Sequence, residues 1–337
     1  MNKENNKKLF IIQPPEYKWE IFEPLLAQIE DHFNRILSFL KFSTPWGKPT
    51  TIKLTVDVFN PEKVSAYAKR ISKEPAIYEV RMNAGLSYYL WTASRTFAIP
   101  EYDILPWLEE CTVNVKNERT EKLNRKEALA DYAFFLGTYY VLLHEISHIV
   151  LGHLDYLNDE MKLDYLSEFQ DEKRHYSSEE IRIRKALEAE ADRQAGQWLV
   201  GFFEHSLGEN RLGQYLVFPS RIHTYEFYVY AIATVFRVLQ DLTQREGAIH
   251  PKPNERLHIL IASLSKYFSQ NLPDEYDEIH IHGVKSCLEA GKKLLVIDSF
   301  EPLTVILNAY NLAFVDDVVR EINIRRYQHQ LEVAITN

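Results

Sequence analysis

The chain has 337 residues, of which 46% are hydrophobic and 26% charged, a composition typical of a soluble globular protein. Its formal net charge is −9 and it has no dense run of lysine and arginine, so a nucleic-acid partner is not indicated. Cys111 and Cys287 are too few and too far apart to predict a disulfide framework or a cysteine-based metal site. Signal peptides, lipidation motifs and uninterrupted apolar spans are not recognised, which predicts a cytoplasmic protein without membrane insertion.

The N-terminal third mixes two hydrophobic periodicities. Apolar residues three and four apart predict helices, and strict alternation predicts half-buried strands. One of these strands, Ala76–Asn83, is a candidate edge strand to which an extended substrate backbone could add, although an interior position is equally open. Pro61 is suitably placed for the first turn of a helix. The predicted helices span 19–42, 60–71 and 86–97, and the predicted strands span 51–59 and 76–83.

The rest of the chain has helical patterns joined by connectors. A long apolar helix begins near Thr120, and Gly152 either ends it or lies within it. Ser177 and Glu180 have the spacing of a capping box, which predicts a helix from there to about His205. The predicted fold class is therefore α+β, mostly helical, with strands confined to the N-terminal third. Further helices are predicted over 223–242, 254–268, 275–295 and 314–333, and a polar connector, with a short helix left open, over 155–176.

The long apolar helix contains His144-Glu145-Ile146-Ser147-His148, an H-E-x-x-H motif. Residues four apart lie on one face of a helix, so His144 and His148 can present two imidazole nitrogens to one metal ion. Glu145 is offset by about 100°, so its carboxylate can act on a water at that metal. Neutral imidazoles, an open coordination position and a carboxylate base suit a hydrolytic zinc site. The alternative is a pair of hydrogen-bonded histidines in a buried helix.

A second candidate segment, Glu188-Ala189-Glu190-Ala191-Asp192, lies on the helix that follows the capping box. Glu188 and Asp192 are four residues apart and share a face, whereas Glu190 points roughly 200° away from Glu188. One of the two facing carboxylates could be a third metal ligand, and the other could orient a ligating histidine. The alternative is an ordinary charged helix face, because glutamate and alanine are good helix formers.

These segments together resemble a known class. H-E-x-x-H followed by E-x-x-x-D on a later helix is the pattern of the gluzincin metallopeptidases. The variant E-x-x-A-D resembles the HtpX-type and CAAX prenyl endopeptidase family, and the segment from His250-Pro251 to Arg256 looks like that family's H-P-x-x-x-x-R. The chain departs from that family in having no predicted transmembrane helix. A weaker, architectural similarity is to the Lit phage-exclusion peptidases, which are soluble H-E-x-x-H proteases of similar size.

The resemblance implies a site made of metal ligands, catalytic residues and supporting residues. The implied ligands of Zn²⁺ are His144, His148 and Glu188; the implied catalytic residues are Glu145 as base and His250 as oxyanion donor; the implied supports are Asp192, which orients a ligating histidine, and Arg256. The expected activity is that of a zinc metalloendopeptidase, of a regulatory or phage-exclusion type, acting on a cytosolic protein or peptide. A loop histidine before a helix remains the alternative for His250.

The resemblance also implies a zincin-like fold built around an active-site helix pair. Its expected regions are an N-terminal α+β part with the substrate-side strands, a catalytic helical core and a helical C-terminal part. The competing function is a non-catalytic zinc-stabilised binding or sensor protein. Glu145 argues against it, because a purely structural zinc site has no use for that base. The expected boundaries are 1–118, 119–270 and 271–337.

Two other histidines have no role in these motifs. His153 follows His148 by five residues, whereas the third histidine of metzincins follows by six. On a continuous helix it would lie about 140° from His148, which favours a capping or core role over metal binding. His223 precedes an apolar helix, so we expect it to cap that helix, with a substrate-side position left open.

Overall fold

The structure is a computed structural model that describes ten segments of the chain. These segments are 19–44, 47–57, 63–95, 105–113, 125–161, 166–167, 176–208, 216–243, 250–294 and 332–335. The helices are α1 (Trp19–Phe39), α2 (Ala84–Ser94), α3 (Arg125–Val150), α4 (His153–Met161), α5 (Ser178–Gly208), α6 (Arg221–Thr243), α7 (Pro253–Asn271) and α8 (Tyr276–Leu294). The strands are β1 (Leu40–Ser43), β2 (Pro49–Asp57), β3 (Ala66–Ser72), β4 (Ala76–Asn83), β5 (Thr112–Val113), β6 (Leu166–Ser167), β7 (Leu216–Val217) and β8 (Glu332–Ile335).

Helices dominate the described segments, and four N-terminal strands form most of one sheet, which confirms the predicted α+β class. The order of the sheet is β6-β3-β4-β2-β1-β8, with β2 and β4 parallel and the other pairs antiparallel. Alternate residues of β2 are buried, as its hydrophobic pattern predicts. Two further short strands, β5 and β7, pair with each other.

Strand β4 corrects one prediction about substrate binding. It lies between β2 and β3, so Ala76–Asn83 is an interior strand and the edge-strand prediction is wrong. Both rows of its backbone hydrogen-bonding groups are used by neighbouring strands, which leaves none for an extended substrate. Its side chains alternate between buried and half-buried positions, as in a strand with one face on the core.

Four other strands also differ from the predictions. The helix predicted over 60–71 is wrong from Lys63 onward, because residues 63–65 are not helical and Ala66–Ser72 pairs with β4 as a strand. Residues 40–42, predicted to continue α1, belong to β1. The strands are not confined to the N-terminal third, because β6 and β8 pair with β3 and β1. Most of the helix predicted over 314–333 lies outside the described residues, and its last two positions belong to β8.

Helix α3 is the centre of the helical part and packs against α2, α5 and α6 and against β3 and β4. Gly137 allows close approach to α6, because a Cβ there would lie 2.9 Å from Cγ2 of Val235. By length and composition α3 could cross a membrane, but 89% of its most apolar 18-residue window is buried inside the protein. A buried core helix has the same apolar character, so one such helix is weak evidence for insertion.

The end of α3 and the start of α5 both affect the site, and each has a clear local cause. Gly152, with φ 75°, ends α3 in the left-handed conformation that glycine adopts easily, and its N–H donates to the carbonyl of Ile149. At the start of α5, the N–H of Glu180 donates to Oγ of Ser177, and the N–H of Ser177 donates to the Glu180 carboxylate. The predicted capping box is therefore confirmed, and it fixes the beginning of the helix that carries Glu188.

Candidate metal centre

Helices α3 and α5 bring three potential metal ligands together in the interior. Nε2 of His144 lies 3.0 Å from Nε2 of His148 and 3.2 Å from Oε2 of Glu188. Nε2 of His148 lies 3.6 Å from Oε1 of the same carboxylate. All three residues are buried, and their ligand atoms lie within 4.8 Å of one another, so the group could bind a metal ion.

The donor set fits zinc. Zinc takes imidazole nitrogen and carboxylate oxygen at about 2.0–2.2 Å in tetrahedral geometry, which separates neighbouring donors by about 3.3 Å. The separations of 3.0, 3.2 and 3.6 Å scatter around that value. Oε2 of Glu188 is also buried without a hydrogen bond in the part of the chain that the structure describes. A buried carboxylate oxygen in that position is costly unless a cation or a donor satisfies it.

Asp192 supports His144 from the side opposite Nε2, the nitrogen that faces His148 and Glu188. Oδ1 of Asp192 lies 2.9 Å from Nδ1 of His144 and accepts a hydrogen bond of 2.8 Å from the hydroxyl of Tyr140. Arg256, on α7, donates from Nε to Oδ2 and from Nη2 to Oδ1, both at 2.8 Å. The structure therefore brings Asp192 and Arg256 together beside His144. Tyr140 was missed, although it precedes His144 by four residues and so shares its helix face.

The charges of the cluster balance one another. Burial opposes a charge on His144, but Asp192 and Glu188 outweigh it and hold the pKa of His144 well above its ordinary value. Burial also opposes a charge on Glu188, yet His250 and His148 hold the pKa of Glu188 well below its ordinary value. For His148 burial is the main cause and lowers its pKa well below the usual range. The cluster therefore favours a cation beside ionised Glu188, and a metal ion can replace the proton on His144.

Glu145 and His250 lie beside these ligands. Glu145 follows His144 on α3 and is buried, with 3% of its surface exposed. His250 lies just before α7, and its Nδ1 is 3.3 Å from Oε2 of Glu188. Its side chain is 18% exposed, and within the described segments neither ring nitrogen has a hydrogen-bond partner. Nδ1 of His250 thus faces Glu188, and Nε2 is left for an interaction with another group.

His148 has a support of its own, which the sequence patterns did not predict. Nδ1 of His148 lies 2.9 Å from Nδ1 of His153, and Nε2 of His153 lies 3.0 Å from Oε2 of Glu190. All three side chains are buried. Glu190 does point away from Glu188, as the helical period requires, but it meets a histidine rather than solvent.

The position of His153 depends on the break at Gly152. The expected separation of about 140° assumed one continuous helix through His148 and His153. In the structure α3 ends at Val150 and α4 begins at His153, so the turn carries the His153 ring back to His148. His153 is fully buried, in keeping with the expected core position. The turn at Gly152 is what brings its ring to His148 and Glu190. The glycine immediately before His153 was the available signal.

His223 lies in the first turn of α6, far along the chain from the H-E-x-x-H motif and next to a tryptophan. Its ring is 4.6 Å from that of Trp107, and its Nδ1 lies 2.9 Å from Oγ of Ser220. Ser220 Oγ also accepts a 3.5 Å hydrogen bond from the His223 N–H. Ser220 therefore caps α6, and the prediction that His223 is the capping residue is wrong.

Comparison with known proteins assigns the class. The family model described as peptidase U49 matches residues 92–272, which is more than half of the chain. The chain belongs to the peptidase U49 family. No curated protein and no solved structure matches it. The matched range begins in α2, ends just after α7, and contains every residue of the metal centre described above.

Membership of the U49 family supports a peptidase, a hydrolase whose substrates are proteins or peptides. This is the Lit-type family, so the weaker of the two resemblances drawn from the sequence is the one that the comparison supports. The match does not extend to β1–β4, which precede it in the chain.

Proposed function

We propose that this U49 peptidase is a zinc-dependent endopeptidase of gluzincin type. The observation that carries the proposal is the convergence of His144, His148 and Glu188 on one buried point, directly beside Glu145. The chain supplies two imidazoles and one carboxylate, which is the ligand set of catalytic zinc sites with an open fourth position. The order H-E-x-x-H, E-x-x-A-D and H-P-x-x-x-x-R is the shared pattern that supports the gluzincin assignment.

A zinc ion held by these residues would polarise the scissile carbonyl and lower the pKa of the attacking water. Glu145 would accept the proton of that water and deliver it to the leaving amine. His250 would donate a hydrogen bond to the developing oxyanion, an interaction typically worth a few kcal/mol. Its Nε2 has no hydrogen-bond partner among the described residues, and its side chain is partly exposed, which suits a group that also meets substrate.

The substrate that we propose is a protein of the cytosol, as for a regulatory or phage-exclusion protease. The chain's net charge of −9 does not favour nucleic acid. The interior position of β4 removes the strand that was the candidate for backbone pairing with substrate.

The competing function, a non-catalytic zinc-stabilised binding or sensor protein, uses the same three ligands. The two functions differ in their need for Glu145, because a structural zinc site needs no base. Glu145→Gln keeps the shape of the side chain and removes the basic carboxylate, so a peptidase should keep its zinc and lose about three decades of turnover. A binding protein should be unchanged in every property.

The experiment compares new protein N-termini in a cell extract incubated with wild type or with Glu145→Gln. Isotope labelling of α-amines followed by mass spectrometry identifies cleavage products even when the substrate is unidentified. We expect new N-termini with wild type and none with the variant, at equal zinc content. Identical N-termini in both samples would contradict the peptidase proposal, and a variant without zinc would show Glu145 to be a ligand.

A further inference from the structure

The two histidines of the H-E-x-x-H motif are supported in different ways. His144 contacts a carboxylate directly, because its Nδ1 lies 2.9 Å from Oδ1 of Asp192. His148 reaches a carboxylate only through another imidazole, in the order His148, His153, Glu190, with separations of 2.9 and 3.0 Å. Asp192 and Glu190 lie on the same helix, two residues apart, so α5 supplies the terminal carboxylate of both arrangements.

Hydrogen-bond chemistry fixes the protons along the second arrangement. A histidine that binds metal through Nε2 carries its proton on Nδ1. Nδ1 of His148 must then donate to Nδ1 of His153, which accepts only when its own proton is on Nε2. That Nε2–H points at Oε2 of Glu190, a carboxylate that only accepts. One arrangement of protons therefore satisfies all three groups and leaves Nε2 of His148 free for metal.

His153 is held in place by the sheet. It begins α4, and Asp155 two residues later accepts hydrogen bonds from Arg70 on β3, at 2.6 Å, and from the hydroxyl of Tyr78 on β4. Arg70 also donates to Asp159 on the next turn, at 3.2 Å. These contacts hold α4, which carries His153, against the sheet. The His153 ring contacts Glu190 of α5 on its other side.

We propose that His153 and Glu190 are positioning residues that set the tautomer and orientation of His148 through an imidazole-to-imidazole hydrogen bond. The proposal rests on the proposed function, since it concerns a ligand of the proposed zinc site. Outer partners of this kind raise the basicity of the ligand and typically change metal affinity 10–100-fold. The Glu190–His153–His148 series, which we name the relay, is not implied by the E-x-x-A-D motif, in which the position of Glu190 is variable.

The first test measures zinc affinity by competition with a chromophoric chelator. His153→Leu fills the space without an acceptor, and we expect it to bind zinc 10–100-fold more weakly than wild type. His153→Gln carries an amide oxygen that can accept from His148 and an amide N–H that can donate to Glu190, and we expect it to recover most of that loss. Glu190→Gln should fall between them, and the exposed Glu179→Gln on the same helix is the control.

The second test needs no variant and decides the matter even if His153→Leu does not fold. Nitrogen-15 NMR of the zinc-loaded wild type distinguishes the two ring nitrogens of each histidine. We expect His153 to carry its proton on Nε2 alone and His148 to carry its proton on Nδ1. A proton on Nδ1 of His153 would overturn the relay, and so would wild-type zinc affinity in folded His153→Leu.

These outcomes are distinct from failure of the proposed function. If the wild type itself does not bind zinc, the metalloenzyme is wrong and the relay is wrong with it. If the wild type binds zinc tightly and the His153 variants do so equally, only the relay is wrong.

Discussion

Arg256 donates two hydrogen bonds to Asp192, and this pair joins α7 to α5 directly behind His144, a proposed metal ligand. Both groups are buried, with exposures of 4% and 0%. Removing one partner of a buried ion pair leaves an uncompensated charge and typically costs 3–5 kcal/mol. The pair is therefore a point at which the stability of the fold and the geometry of the metal centre depend on the same contact.

We predict that Arg256→Met lowers the free energy of unfolding of the metal-free protein by about 3–5 kcal/mol. Urea unfolding followed by circular dichroism measures the change. The matched control is Arg221→Met, which removes a more exposed arginine from its 3.0 Å pair with Glu275 and should cost about 1 kcal/mol or less. Equal losses in the two variants would show that the Arg256–Asp192 pair adds nothing beyond a surface contact.

The pH dependence of the free energy of unfolding should reflect the ionisation of Asp192. Burial raises its pKa, but Arg256 and His144 outweigh burial and lower it to about 2, against about 3.9 in the unfolded chain. A depressed pKa means that the stabilising contribution is complete above the unfolded value and is lost as pH falls through 4 towards 2. Between pH 5 and pH 3, metal-free wild type should lose about 1 kcal/mol more than Asp192→Asn. Parallel losses in urea titrations of the two proteins would contradict this assignment.

Neutralising a carboxylate of α5 should weaken zinc binding more when that carboxylate is a direct ligand than when it only contacts a ligand. Glu188→Gln removes a direct ligand, so it should weaken zinc binding by more than the 10–100-fold that is typical of outer partners. Asp192→Asn should fall within that 10–100-fold range. Chelator competition on both variants, with exposed Glu179→Gln as control, gives the ranking. The reverse order would mean that Asp192 rather than Glu188 binds the metal.

His250 should act in the transition state. Its Nδ1 lies 3.3 Å from Oε2 of Glu188, and its Nε2 has no hydrogen bond within the described segments. His250→Ala should therefore lower kcat about a hundredfold with KM and zinc content little changed. His223→Ala, on a ring packed against Trp107, is the control and should leave kcat near the wild-type value. Loss of zinc together with activity in His250→Ala would instead assign His250 to metal binding.

Local sequence patterns predicted the parts of the site that lie on single helices. The spacings His144 to His148 and Glu188 to Asp192 place the two members of each pair on one face of their helix. Ser177 and Glu180 marked the start of α5 because both partners of a capping box are local.

Contacts between distant segments could not be predicted in this way. Strand β3 begins Ala66-Tyr67-Ala68 with little strand propensity of its own, and its conformation depends on pairing with β4. β6 has only two residues and exists as a strand through its partner. The relay was missed for a related reason: its geometry depends on one residue, Gly152, which breaks the helix and turns His153 back onto His148.

The most direct test of the central claim is the zinc content of the purified protein and of His148→Ala. Elemental analysis after gel filtration gives zinc per chain without any assumption about the substrate. We predict about one zinc per wild-type chain and almost none in folded His148→Ala, because two remaining donors hold zinc weakly. A wild-type protein without zinc after reconstitution, or full zinc retention in the folded variant, would contradict the assignment of His144, His148 and Glu188 as the metal ligands.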